Sequence, residues 1–215
     1  NVVDNFSEEY LTGRTPNPCV RCNSFVKWDT LIQQADLFGI DYISTGHYAQ
    51  VKHEKDISYL LKGADTLKDQ SYMLWQINPD ALQRTLLPLG EITKAETREY
   101  AKSRGLETAQ TPESMDLCFV NGDDYSKFLY EIMPEKMNNV TPGDIIDEAG
   151  EVLGKHTGFT NYTIGQRRGI GLAFEEPRYV KKINPMDNSI VIARKDALYT
   201  DYCYFLELLS CENIN

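Results

Sequence analysis

Apolar residues recur at Phe25, Trp28, Leu31, Ile32 and Ala35, a helical stripe that predicts an amphipathic helix over residues 24–38 with Gly39 as its left-handed stop. Residues 40–48 then predict a short strand ending at Gly46, where a missing Cβ leaves room for a ligand beside the backbone. Residues 57–62 read as another strand, and residues 63–72 as a polar break. Thr93-Lys94-Ala95-Glu96 fits a capping box that opens a scaffold helix running to Arg104 before Gly105. One more helix is predicted from Asp124 to Met133, with Tyr125, Phe128, Leu129 and Ile132 on one face. Strands and turns dominate afterwards: residues 143–154 predict a hairpin, and residues 179–183 with 189–193 predict a second. The order helix, strand, glycine turn, followed by hairpins, predicts an α/β fold with a small β-rich domain from about residue 120.

Composition narrows the function classes. The chain has 215 residues with 41% hydrophobic and 11% aromatic content, enough for one large domain or two smaller ones with a real core. No apolar run approaches the roughly 20 residues that span a bilayer, so no membrane role is expected. A formal net charge of −10 argues against a non-specific nucleic-acid binder, whose footprint would be basic. The charge is uneven, however: residues 152–195 carry eight basic side chains against three acidic ones. That island is either the solvated face of a β module or a surface for a phosphate backbone. Within it lies Tyr162-Thr163-Ile164-Gly165-Gln166-Arg167-Arg168-Gly169-Ile170-Gly171, a glycine-punctuated loop whose spacing is not the dinucleotide fingerprint. Arg167 and Arg168 therefore read as backbone or phosphate contacts. The chain begins at Asn1 rather than Met and stops at Asn215 inside a strand-like segment, so it reads as a fragment.

The candidate chemistry is sulfur chemistry. Gly13-Arg14-Thr15-Pro16-Asn17-Pro18-Cys19-Val20-Arg21-Cys22-Asn23 sets two thiols where a proline-stiffened loop meets a helix start, and the free amides of such a start favour thiolate. A distant thiol, Cys118, sits in another loop bounded by turn-forming residues. Zinc is the first rival, since Cys-x-x-Cys is half a tetrahedral site, yet no second pair follows and His47, His53 and His156 are scattered. Five cysteines, an odd number, with no visible secretory signal argue against a structural disulfide framework and for a reducing compartment. Cys203 and Cys211, which alternate with Tyr202, Tyr204, Phe205 and Leu208, read as buried and inert. Gly46 and His47 at a strand end are candidate ligand contacts or an ordinary turn. Lys68, Asp69 and Gln70 offer a cation, an acceptor and a mixed group within one turn, enough for a phosphate and a base edge, or simply a surface turn.

Six motifs, in order, resemble the tRNA-specific 2-thiouridylases over most of the chain: Gly13-Arg14-Thr15-Pro16-Asn17-Pro18 with Cys22-Asn23, Thr45-Gly46-His47-Tyr48, Lys68-Asp69-Gln70-Ser71-Tyr72, Leu87-Pro88-Leu89-Gly90, Leu117-Cys118-Phe119 and Tyr162 to Gly169. The resemblance implies the C-terminal part of an adenine-nucleotide alpha hydrolase-like (PP-loop) ATP pyrophosphatase-type domain over residues 1–120. A small β-rich tRNA-binding domain over 121–196 and the start of a β-barrel-like domain over 197–215 would follow. It further implies ATP-dependent sulfur transfer to C2 of the wobble uridine of tRNA in the cytoplasm, through an adenylated uridine. Cys118 matches the cysteine that carries a persulfide from a sulfur-relay donor protein, and Cys22 the thiol that resolves it by disulfide formation. Gly46 matches an ATP-binding position, with Mg2+ accompanying the nucleotide. Asn17, Pro18, Cys19, His47, Lys68, Asp69 and Gln70 match tRNA-contacting positions, and no metal ligand set of the protein's own is implied. The family's Ser-Gly-Gly-x-Asp-Ser loop and most of its C-terminal β domain are absent, which reads as truncation and implies that this chain alone would bind ATP poorly and not turn over. Many relatives carry Asp where Cys19 stands, and whether Cys19 replaces Cys22 or only fills the same space stays open. A tRNA-binding module without catalysis and a zinc-stabilised interaction domain are the rival functions.

Overall fold

A computed structural model describes residues 1–111, 117–120 and 125–200. Along the chain these form α1 (Val2–Leu11), α2 (Pro18–Cys22), a π-helical turn (Asn23–Trp28), α3 (Asp29–Phe38), β1 (Ile43–Ser44), β2 (Ala49–Glu54) and β3 (Ile57–Lys62). Then come α4 (Pro79–Gln83), β4 (Thr85–Leu86), α5 (Lys94–Ser103), α6 (Tyr125–Ile132), α7 (Pro134–Met137), β5 (Gly143–Ile146), β6 (Val152–His156), β7 (Tyr179–Asn184) and β8 (Ser189–Ala193). The mixture is α/β, as the sequence predicts. The predicted places of Cys203 and Cys211, and the third domain beyond residue 200, lie outside the described residues, as does Asp124 at the predicted start of α6.

Residues 17–111 make one compact unit. Its centre is Trp28, fully buried among Ala35, Ile43, Ala49, Leu74, Ile77, Leu82 and Leu87. The Trp28 indole N–H donates to Thr85 Oγ1 at 2.8 Å, and that hydroxyl donates to Ala81 O at 2.7 Å, so the buried polar atoms are paired. β1 and β4 pair in parallel, Ile43 opposite Thr85, while β2 and β3 form an antiparallel hairpin. Gly39 takes the left-handed stop after α3 (φ 65°), and Thr93 with Glu96 completes the capping box of α5, as predicted. The predicted stripe fails at two places. Phe25 is 51% and Leu31 38% exposed, whereas Val20, Ser24 and Trp28 point inward. The cause is the π-turn, whose wider winding puts i and i+4 on the buried face and carries Phe25 out. The strand predicted over 40–48 is shorter than expected, and the polar outer half of β2 hid that strand from the sequence.

Residues 1–16 belong with the described residues after 116 in a second unit. α1 opens with a reciprocal cap between Asn1 and Asp4 and buries Phe6 and Tyr10 against Leu129 and Met137. Both predicted hairpins are present and join in a four-stranded sheet of order β6-β5-β8-β7, in which β5 and β8 run parallel. β8 is central and apolar along its length, with Ile190 and Ile192 packed on Ile145, Val180 and Ile183. A register shift between Val180 and Lys182 turns two successive lysines, Lys181 and Lys182, to solvent on edge strand β7.

Candidate active site and nucleic-acid interface

Pro18 occupies the first helical position, where a missing N–H costs nothing, and Asn17 precedes it with extended-side dihedrals (φ −109°, ψ 88°) and no side-chain cap. Cys19 lies in the first turn and Cys22 closes α2; both are half-buried, and neither is in a disulfide among the described residues. Positions i and i+3 share a helix face, so the two thiols emerge together. Immediately after Cys22 the helix widens. There Asn23, 1% exposed, donates from Nδ2 to Met73 O at 3.2 Å, while its Oδ1 has no hydrogen-bond partner among the described residues. Asn23 thus ties the cysteine helix to the 3-10 turn Ser71–Met73 that follows Lys68, Asp69 and Gln70.

The side chains of Asp69 and Gln70 are built into the turn. Asp69 Oδ1 accepts from the amides of Gly63 at 2.9 Å and Ser71 at 3.1 Å, and Oδ2 accepts from Ser71 Oγ at 2.9 Å. Partial burial opposes ionisation of Asp69, but these donors outweigh it and hold the carboxyl below its ordinary range. Gln70 pairs with Tyr48 twice, its Oε1 accepting from Tyr48 N at 3.0 Å and its amide donating to Tyr48 O at 2.8 Å. The side chains of Asp69 and Gln70 therefore fix the loop, and Lys68 beside them is half-buried.

Gly46 is exposed at the end of β1, and a Cβ there would meet only Leu89 Cδ1 at 3.5 Å, so its backbone is open to a ligand. The neighbouring His47 is half-buried, its Nδ1 2.9 Å from Thr45 Oγ1 and its ring 5.3 Å from that of Trp28. Burial, with the charge of Lys27 adding to it, pushes the His47 pKa down to about 4, so the imidazole is neutral near pH 7. Leu87-Pro88-Leu89-Gly90 is a packing motif: a Cβ on Gly90 would sit 1.9 Å from Ala49 O. Sequence reasoning missed Asn23 and the stack of the Lys94 ammonium over the Tyr48 ring at 5.2 Å. Lys94 was legible only as a capping-box residue, and nothing in the local pattern marks Asn23 as buried.

In the other unit Leu117 to Val120 form a turn, closed by Val120 N donating to Leu117 O at 3.0 Å, with Cys118 exposed at its tip. The flanking residues anchor it. Leu117 and Phe119 pack on the Phe6 cluster, Phe119 lying edge-on to Phe6 at 5.3 Å and 5.4 Å from Phe128. The arginine loop is held equally firmly. Tyr162 and Ile170 are buried at its ends, Gly165 donates to Val180 O at 2.7 Å, and Gln166 accepts from Thr163 N at 3.0 Å through its side chain. Positive φ at Gly165, Gly169 and Gly171 lets the loop double back, and Arg167 and Arg168 stand exposed with no ion pair among the described residues. Lys155, Lys181 and Arg194 instead meet Asp144, Glu148 and Glu176. His156 is a structural histidine: its Nδ1 accepts from Gly158 N at 3.1 Å and its Nε2 lies 3.1 Å from Asn188 O. Among the described residues no three His, Cys, Asp or Glu side chains are grouped to hold a metal ion, and no helix is long and apolar enough to cross a membrane. No disulfide links the described cysteines.

Residues 1–122 match the family model of the tRNA methyl transferase HUP domain, and residues 126–194 that of the tRNA methyl transferase PRC-barrel domain. The tRNA-specific 2-thiouridylase MnmA of Carboxydothermus hydrogenoformans is 48% identical over 201 residues, covering 93% of this chain and 54% of that protein. The tRNA-specific 2-thiouridylase MnmA of Chlorobium chlorochromatii is 50% identical over 197 residues, 92% of this chain and 55% of its own length. The protein of the same name from Clostridium perfringens is 41% identical over 216 residues, 100% of this chain and 57% of its own length. The chain thus spans about half the length of the curated relatives it matches.

Proposed function

The chain belongs to the family described by the tRNA methyl transferase HUP and PRC-barrel domain models, and from that premise, with relatives named tRNA-specific 2-thiouridylase MnmA, we propose that the protein transfers sulfur to C2 of the wobble uridine of tRNA at the expense of ATP. The observation that carries this reading is a pair of accessible thiols, Cys22 and Cys118, each on firmly anchored backbone in a different compact unit. A ring carbonyl is a weak electrophile, so ATP adenylates the uridine oxygen and turns it into AMP, a good leaving group. The terminal sulfur of a Cys118 persulfide attacks C2 and AMP departs. Cys22 thiolate then attacks the Cys118 sulfur, freeing 2-thiouridine and leaving a Cys22–Cys118 disulfide.

Gly46, with its open backbone, is where the nucleotide and its Mg2+ would approach. The exposed turn tip of Cys118 suits loading by a sulfur-donor protein in the cytoplasm. Asn17, Pro18, Cys19, His47, Lys68, Asp69 and Gln70 would form the tRNA-facing set, with Asp69 and Gln70 also holding their loop, and Arg167 and Arg168 would meet the phosphate backbone. A neutral His47 suits a base edge better than a phosphate, because it brings no charge.

The test is nucleoside mass spectrometry of unmodified tRNA incubated with the full-length protein, ATP and a persulfide donor, beside Cys22→Ser and Cys118→Ser. The expected result is 2-thiouridine with wild type and ATP only. A folded protein that binds tRNA yet forms none under these conditions would instead be a non-catalytic tRNA-binding module.

A further inference from the structure

Cys19 has no role in the sulfur-transfer step itself, yet it occupies the same helical turn as Cys22. In α-helical geometry residues three apart have Cα atoms about 5 Å apart, inside the roughly 4.4–6.8 Å range that a disulfide bridges. This turn is bounded on both sides by departures from regular α-helix: Asn17 before it is non-helical, and the π-turn begins at Asn23 directly after it. Both thiols are half-buried, so each is within reach of a small reagent. No described group of metal-ligating side chains claims them. A Cys-x-x-Cys pair at the beginning of a helix in an α/β unit is the arrangement in which vicinal dithiols exchange.

We infer that Cys19 and Cys22 form a redox-active dithiol in which Cys19 releases Cys22 from any disulfide it has entered. The inference rests on the sulfur-transfer reading for the origin of that disulfide, and its chemistry balances without an added oxidant. Cys19 gives its proton to solvent and its thiolate attacks the Cys22 sulfur. The bond from Cys22 to Cys118 breaks, Cys118 leaves as thiolate and takes up a proton, and a Cys19–Cys22 disulfide remains. A dithiol reductant then supplies the two electrons that reopen the pair. Cys118, the thiol that must be reloaded, is thus recovered before any external reductant acts.

Two measurements on the full-length protein test this. In the first, the protein is equilibrated in glutathione buffers of graded potential, free thiols are alkylated, and the peptides are mapped by mass spectrometry. A Cys19–Cys22 linkage should titrate in wild type and equally in Cys118→Ser, and should vanish in Cys19→Ser and Cys22→Ser. Alkylation of Cys19 in wild type at every potential would overturn the proposal without any variant. In the second, one round of sulfur transfer is run without reductant, and the linkage is counted against 2-thiouridine formed. One Cys19–Cys22 bridge per 2-thiouridine is expected, with recovery of the Cys118 thiol slowed by about ten-fold or more in Cys19→Ser. A Cys22–Cys118 bridge that persists in wild type would refute the release step. If wild type forms no 2-thiouridine but the first titration still shows the pair, the sulfur-transfer reading has failed and the dithiol has not.

Discussion

Removing one hydroxyl beneath the candidate site should destabilise it out of proportion to its size. Thr85 is fully buried, and its Oγ1 both accepts from the Trp28 indole and donates to Ala81 O. Thr85→Val nearly preserves shape but strands the indole N–H in the core, which costs about 1–3 kcal/mol. Ala81 O keeps a second donor, Arg84 N at 3.2 Å, so its loss is small. The added methyl returns about 0.8 kcal/mol of apolar burial, leaving a net loss of about 1 kcal/mol. Trp28→Phe removes the stranded donor, so in that background Thr85→Val should cost less, with a coupling of about 1–2 kcal/mol. Because the chain has two compact units, native-state hydrogen exchange of the α3 amides is the proper assay: it reads the opening of this unit alone. A coupling below about 0.5 kcal/mol would show that the hydroxyl does not hold the indole, and that the position of Trp28, and of His47 against it, is set by packing only.

Other consequences are as direct. His47 has a folded pKa of about 4 against an ordinary 6.5, so its contribution is fully present above pH 6.5 and is lost as pH falls through 4. Discounted for partial exposure, that is about 1–2 kcal/mol, and urea unfolding between pH 7 and 4 should show a flatter profile in His47→Gln. Arg167→Ala with Arg168→Ala should leave thermal stability unchanged, because neither side chain has an ion-pair partner among the described residues, while weakening tRNA binding. The slope of log affinity against log salt should fall by about 1.4–1.8, read by filter binding from 50 to 200 mM salt, an order-of-magnitude expectation for two phosphate contacts. Gly90→Ala places a Cβ 1.9 Å from Ala49 O, so the backbone must move; a loss of about 2–4 kcal/mol is expected in the same exchange experiment.

Local signals read well. The capping box at Thr93, the stop at Gly39 and both hairpins depend on neighbours in sequence, and each stands where the pattern puts it. Patterns that assume regular winding or alternation read less well. α-Helical periodicity puts Phe25 on the buried face, but the winding there is π-helical, and alternation does not mark β2 because its outer residues, Lys52, His53 and Glu54, are polar. The thiols were legible as chemistry, since proline, asparagine and cysteine at those spacings have few other uses. How each is held was not. Cys118 owes its turn to Phe119 meeting Phe6, a residue more than a hundred positions away, and Asn23 owes its burial to Met73.

The sequence by itself determined residue chemistry and short-range geometry: which groups can carry sulfur, where helices begin and end, and where the chain reverses. These rest on dihedral preferences and on hydrogen bonds between near neighbours. Only the tertiary structure decided which polar groups are consumed internally and which remain for a ligand. Asp69 and Gln70 look similar to Arg167 and Arg168 along the chain, yet oxygens of the first pair accept from the amides of Gly63, Ser71 and Tyr48 while the second pair stands in solvent. A buried amide must find an acceptor wherever the fold brings one, and that demand is set by contacts the linear order does not contain.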